Sequence, residues 1–465
     1  MPIASRGRHL IPLLAMAFIG AGPELSLVDA ARNADKEGVR ALIKQGANVN
    51  LATADGTTAL HWASYRDDLD SADLLIRAGA KVNAANDLGA TPLWMASVNG
   101  SAGMAGRLLQ AGADPNVALL SGETPVMAAS RSGYPAVVEQ LLAKGANVNA
   151  RAARAQTPLM WAVAQKHADV VKVLIAHGAD IHARSAVWSE VMAVEPHGVR
   201  ENNRAIPHGG DTALMFAARA GDLASAKLLV AAGANVNDAD AWGVSATVLA
   251  AHAGHGDVVD FLLETGADPN AAAAGFSALH IAVMRRNQKM VTALLDHGAD
   301  PNAPVRTWTP TRRASDDFNF PPALVGATPF WLAARFRQPD VMRLLVKHGA
   351  DPLVVLRVEY AAAGEEGAPT VRRKQATTAL MAATGMGGGK AWVEPERRER
   401  EALTLEAVKV AAELGVDVNA ASTDGRTALD AAQALKFESV VKFLLERGAR
   451  PGPKKQKATP AADNR

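Results

Sequence analysis

Residues 124–149 read TPVMAASRSGYPAVVEQLLAKGANVN. Thr124 can cap a helix with its hydroxyl, and Pro125 follows at the first helical position, where a missing N–H costs nothing. Val137, Val138, Leu141 and Leu142 fall at helical spacing and predict a second helix, with Gly145 as its left-handed stop. Two helices this short cannot bury their apolar faces alone, so the stretch makes structural sense only as one of a stack.

The stack is written along the rest of the chain. A string of the form Leu-Leu, two residues, Gly-Ala returns with its glycine at Gly46, Gly79, Gly112, Gly145, Gly178, Gly233, Gly266, Gly298, Gly349, Gly415 and Gly448. The gaps are 33, 33, 33, 33, 55, 33, 32, 51, 66 and 33 residues, a 33-residue unit with long insertions in three places. Thr58, Thr91, Thr124, Thr157, Thr212, Thr328, Thr378 and Thr427, with Ser245 and Ser277, stand where a first helix opens. Five residues after each cap comes an alanine, such as Ala63, Ala96 or Ala129, small enough to let neighbouring helices approach. Between closing glycine and next cap lie Asn or Asp and a further Gly, as in Asn83 to Gly89, which suits a turn or short hairpin.

The motifs Thr58-Ala59-Leu60-His61-Trp62-Ala63, Thr91-Pro92-Leu93-Trp94-Met95-Ala96 and Ser277-Ala278-Leu279-His280-Ile281-Ala282, closed by strings such as Gly112-Ala113-Asp114-Pro115-Asn116, resemble the ankyrin repeat family. The resemblance covers about residues 25–452 and implies an all-α ankyrin repeat solenoid of about eleven helix-turn-helix units with hairpin or turn fingers. It also implies that His61 and His280 tie neighbouring loops together. The first unit, beginning at Leu27-Val28-Asp29, has no threonine and reads as a cap. Residues 184–209, 303–325 and 353–375 enlarge three fingers on one edge, and residues 387–403 separate the two helices of the tenth unit and imply extra helix there.

Composition narrows the function. Forty-nine Lys+Arg against 47 Asp+Glu give a net charge of +2, too balanced for a nucleic-acid binder. The absence of cysteine excludes disulfides, thiolate metal sites and cysteine nucleophiles. Residues 1–22 run from Arg6, Arg8 and His9 through the apolar stretch Leu10 to Ala21 to small residues, the order of a signal peptide, with no stable membrane span; Pro12 and Pro23 weaken that order. The expectation is an exported protein, periplasmic or secreted, and a cytoplasmic one if that signal does not act. Residues 453–465 form a basic tail that reads as disordered.

No set of catalytic groups converges in the sequence. Gly385-Met386-Gly387-Gly388-Gly389-Lys390-Ala391 departs from a phosphate loop at both ends and reads as a flexible helix end. His252 and His255 lack a carboxylate to complete a metal set, and Asp238, Asp240 and Gly243 read as a turn, because Trp242 stands where a calcium loop needs an oxygen donor. No catalytic residue, metal or cofactor is expected. The reading is a scaffold that binds a partner protein through the concave helix face and the finger tips; the rivals are an enzyme whose site the enlarged fingers build, and an accessory to an exported enzyme.

The expected contact residues come from the seventh and eighth positions after each cap, which the resemblance places on the concave face. Six of these 22 positions are arginine and none is acidic, where about two acids are expected by chance. The expectation is that Arg66, Arg131, Arg219, Arg285 and Arg335, with Tyr65, Asn99 and Phe336, grip an acidic segment of a partner. A structural explanation competes, since cations suit a helix C-terminus. Trp188 and Trp308 read as staples inside their loops and Trp242 as an exposed anchor for a partner.

Overall fold

The computed structural model describes residues 26–192, 204–309, 320–362, 371–389 and 395–453. The leader and most of the tail read from the sequence lie outside them, as do the central residues of all four insertions. The described residues carry 22 α-helices in eleven pairs. They fall into two compact units, one up to Val117 and one from Ala118 onward.

The first unit holds three pairs: Leu27–Arg32 with Lys36–Lys44, Ala59–Tyr65 with Leu69–Arg77, and Pro92–Asn99 with Ala102–Gln110. First helices pack on first helices and second on second. The opening helix finds a cap in Ser26, whose hydroxyl accepts from the Asp29 N–H. The second unit repeats the arrangement eight times among the described residues, from Pro125–Ser132 with Pro135–Ala143 to Ala428–Leu435 with Glu438–Glu446. The expected alanines, Ala63 and Ala96 in the first unit and Ala129, Ala162, Ala217, Ala250, Ala282, Ala333 and Ala383 in the second, are all at 0% exposure. A longer side chain there would force stacked helices apart, because a packed interior has no slack.

An asparagine four residues past the closing glycine sets the spacing. Asn50 Nδ2 donates to the Gly79 carbonyl at 3.1 Å while its Oδ1 accepts from the Lys81 N–H at 2.7 Å. Asn83, Asn149, Asn237, Asn270, Asn302 and Asn419 make the same double contact with the next loop. Asn302 does so across an insertion, to Gly349. At the two positions where the motif is broken, His182 and Leu353, an enlarged finger follows. Asn237→Ala should therefore lower stability by about 1–2 kcal/mol, two partly solvated hydrogen bonds, with little change in helical content. Urea unfolding followed by circular dichroism checks this.

The two motif histidines tie fingers together as the resemblance implied. His280 Nδ1 accepts from the Ser277 N–H at 3.0 Å and its Nε2 donates to the Ala303 carbonyl at 2.9 Å. In the first unit His61 does the same between the Thr58 N–H and the Ala90 carbonyl. Burial holds both imidazoles below their ordinary 6.5, His280 down to about 4. A ring neutral in the folded chain and protonated in the unfolded one contributes stability that is complete above 6.5 and is lost as pH falls toward 4. Between those limits His280 alone should remove on the order of 3 kcal/mol, and His280→Gln should flatten that part of the pH–stability curve.

Three enlarged fingers carry their own structure. Strands β1 (Trp188–Met192) and β2 (Arg204–His208) form an antiparallel hairpin in register Trp188 with His208. Strands β3 (Leu356–Ala362) and β4 (Val371–Thr377) form a second, Leu356 opposite Thr377. The described ends of the 303–325 insertion close through Phe320, whose N–H donates to Thr309 Oγ1 at 2.7 Å. Beginning within the fourth insertion, the second helix of the tenth pair, Arg397–Glu413, is 17 residues long where its counterparts have nine.

Candidate functional site

The residues expected to meet a partner divide sharply once their contacts are drawn. In the first unit Tyr65 is 54% exposed and stands edge-on to Trp62 at 5.9 Å. Arg66 beside it is exposed. Asn99 is a clasp, its Nδ2 donating to the Tyr65 carbonyl at 2.7 Å.

In the second unit the cations are mostly engaged within the chain. Arg131 Nη2 lies 3.0 Å from Glu123 Oε1, and its guanidinium stacks 5.1 Å over the Trp161 ring of the next repeat. Arg219 Nη2 donates to Asp211 Oδ1 at 2.8 Å. Both acids stand immediately before their helix cap, eight residues ahead of the arginine, so the finger base folds back onto the end of its own first helix. Arg335 has Ala327 at that place, and its Nη2 donates instead to the Gly389 carbonyl at 2.9 Å. Phe336, expected at the partner surface, is 1% exposed: Arg337 Nε bonds Thr404 Oγ1 and the long helix Arg397–Glu413 packs on Pro329–Arg335, closing this corner. Arg285 is different. It is half-buried, its Nε is buried with no acceptor among the described residues, and burial alone pulls its pKa below the usual arginine range.

Beside Arg285 the face opens into a cavity of about 390 Å³ roofed by the β1–β2 hairpin. Trp188, Met192, Ile206 and His208 line it from the hairpin; Asp211, Arg219, Asp240, Trp242, Leu249 and His252 line it from the stack below. The hairpin can lie this close because Gly209 has φ +81°, and a Cβ there would meet the Ala186 carbonyl oxygen at 2.0 Å. Ser185 zips the base to Asp211: its N–H donates to the Asp211 carbonyl and its hydroxyl accepts from the Asp211 N–H, both at 3.0 Å. Where the asparagine motif fails, Arg184 replaces it: its Nη1 donates to the Gly210 and Ala239 carbonyls at 2.8 Å, and Nη2 sits 2.9 Å from Asp238 Oδ1.

Trp188 is a staple, as its place in the loop suggested: it stacks on His208 at 5.5 Å and carries the Arg154 guanidinium 4.4 Å from its ring centre. Trp242 is only half-buried, edge-on to Phe276 at 5.9 Å, so part of the ring faces the cavity. Asp240 forms the expected turn, its Oδ1 accepting from the Trp242 and Val244 N–H groups at 2.9 and 2.8 Å. Burial, with a smaller push from Asp211, raises its carboxyl above the usual range. No group of three His, Asp or Glu side chains among the described residues could hold a metal ion.

The family model described as ankyrin repeats (3 copies) matches residues 27–118, 107–185, 192–273, 214–305 and 273–355, well over half of the chain. The chain belongs to the ankyrin repeat family. Among solved structures, the ankyrin repeat domain of human ASB11 aligns at 31% identity over 54% of this chain and 100% of its own, with a TM-score of 0.43. No curated protein matches. The ankyrin units after residue 355 are identified by their helix pairs, Ala379–Ala383 with Arg397–Glu413 and Ala428–Leu435 with Glu438–Glu446.

The glycine-rich stretch of the tenth ankyrin unit corrects a sequence expectation. It is not a loose helix end: Gly387 to Gly389 pack under the ninth unit. A Cβ on Gly388 would sit 2.1 Å from the Ala323 Cβ, and one on Gly387 2.9 Å from the Trp331 ring. Gly387 to Gly389 and Asp240 stood out in the sequence only for a phosphate loop and a calcium loop that they do not complete, and Arg154 and His208 belong to no local motif. The one readable hint was an acid directly before a cap, at Glu123 and Asp211. Gly388→Ala should cost about 1–3 kcal/mol, whereas Gly256→Ala, with nothing within 4 Å of its Cβ, should be neutral or stabilising. Thermal melts of the two variants make the comparison.

Proposed function

We propose that the protein is a recognition module whose second unit holds an extended segment of a partner protein against the ends of its first helices. Ankyrin repeats generally mediate protein–protein interactions, and the family is typically non-enzymatic. The observation that carries the reading here is Arg285. A half-buried guanidinium whose buried Nε has no acceptor among the described residues is costly, and a carboxylate of the partner would satisfy it. Within the second unit the acidic contact is thereby narrowed from four arginines to one, since Arg131, Arg219 and Arg335 already have acceptors. The Arg335 contact with Gly389 supplies an internal precedent for a chain segment lying on this face. Export ahead of partner binding is part of the same proposal and rests on residues 1–22 alone. No helix of the described residues is long and apolar enough to cross a membrane.

A second reading has one observation in its favour: Asp211, Asp240, His208 and His252 share a roofed cavity, an arrangement that also suits acid–base chemistry. Turnover of p-nitrophenyl esters or glycosides that is lost in Asp240→Asn would favour it.

The principal test uses an octaglutamate peptide on the full chain. Binding should weaken steeply with salt and fall at least tenfold in Arg285→Gln, while the thermal transition stays within a degree or two. Equal binding by the variant, or none by the parent protein, would remove the acidic contact from the proposal.

A further inference from the structure

We propose that the cavity beneath the β1–β2 hairpin is a pocket for a single basic side chain, lysine or arginine, of a partner segment. This rests on reading the second unit as a partner-binding face and adds a specificity that the repeat pattern does not contain.

The cavity has a volume of about 390 Å³, enough for one long side chain and its adjoining backbone. Its walls supply what a cation on an aliphatic stem requires. Met192, Ile206 and Leu249 offer apolar surface for the methylenes. Trp242 lines the site half-buried, and an indole attracts a desolvated cation. Asp240 supplies the charge. Its Oδ1 is taken by two backbone N–H groups, and Oδ2 has no donor among the described residues. Asp211, in the same wall, spends Oδ1 on Arg219.

Two guanidiniums of this chain already show both contacts at the cavity edge: Arg154 on the Trp188 ring and Arg219 on the Asp211 carboxylate. Arg219 is held by Asp211 and Arg154 lies on the Trp188 ring, while Oδ2 of Asp240, like Oδ2 of Asp211, has no donor among the described residues. Other occupants fit less well. An acidic side chain would face Asp211 and Asp240, with Arg219 already paired to Asp211 and Arg154 exposed on the Trp188 ring, and an apolar one would cover Asp240 Oδ2 without giving it a hydrogen bond.

Arg285 lies near the cavity without lining it. Its Nη1 lies 3.6 Å from where a Cβ on Gly254 would be, and Ala253 lines the cavity. The occupant is therefore a segment in which a basic residue and an acidic residue lie close together, the first in the cavity and the second on Arg285.

The test titrates the full-length protein by calorimetry with the capped pentapeptide Gly-Gly-Arg-Gly-Gly and with its Gln and Glu counterparts at the centre. The Arg peptide should bind, the Gln peptide should bind at least tenfold more weakly, and Asp240→Asn should reduce Arg-peptide affinity by tenfold or more. Asparagine keeps the Oδ1 acceptor of the turn, so the fold is retained; Trp242→Leu serves as a second variant and should weaken the Arg peptide at least threefold. Equal binding of the Arg and Gln peptides, or an Arg peptide indifferent to both variants, overturns the proposal. Binding of the Glu peptide alone, abolished by Arg285→Gln, would overturn the basic pocket and leave the partner-binding face standing. Binding of none of the three would overturn both.

Discussion

The structure depends on one side chain repeated: an asparagine that reaches from the loop of one repeat into the loop of the next, giving a hydrogen bond to a carbonyl and taking one from an N–H. Stacked apolar helices could slide, because dispersion and burial are not directional. The double contact of asparagine is directional, so it holds each loop in register with its neighbour. It binds loops rather than helices, and is therefore indifferent to how many residues lie between. Asn302 reaches Gly349 over 47 residues by the same geometry that joins Asn237 to Gly266 over 29.

That indifference allowed the fingers to grow. Loop closure entropy rises only slowly with length, so an insertion that leaves the asparagine contact in place costs the stack little. Where the asparagine itself is missing, at His182, Arg184 takes over the bridging with two carbonyls and a carboxylate, and the finger it anchors folds down over the first-helix ends. The roofed cavity forms beneath that finger. It lies where a regular repeat would present an open surface.

The row of arginines at the first-helix ends shows how two physical causes can share one residue. A cation there is favoured by the helix dipole, and the residue before the cap is carried by the finger to within reach of it. An acid at that position, Glu123 or Asp211, pairs with the arginine; an alanine, Ala327, leaves Arg335 to bind Gly389. The positive face read from the sequence is thus largely neutralised in the second unit, and Arg285 remains as its unsatisfied member.

Most of the fold was legible because its determinants are local and periodic. A capping hydroxyl, a proline at the first helical position, an alanine five residues on and a glycine stop each act within one turn of helix, and their recurrence every 33 residues forces a stack. The histidines that join loops were legible for the same reason. The sites were not. Phe336 occupies the same motif position as exposed residues of other repeats, yet a long neighbouring helix closes over that corner. Gly387 to Gly389 read as slack chain, but their missing side chains are what let them pack under Trp331 and Ala323. Asp211, Asp240, Trp188 and His208 meet only because a hairpin folds across the stack. Sequence by itself determined the repeat, since short-range backbone chemistry specifies it. Only the tertiary structure decided which charges remain unpaired, because a charge's partner is set by distance in space, and the insertions bring together residues that no local pattern connects.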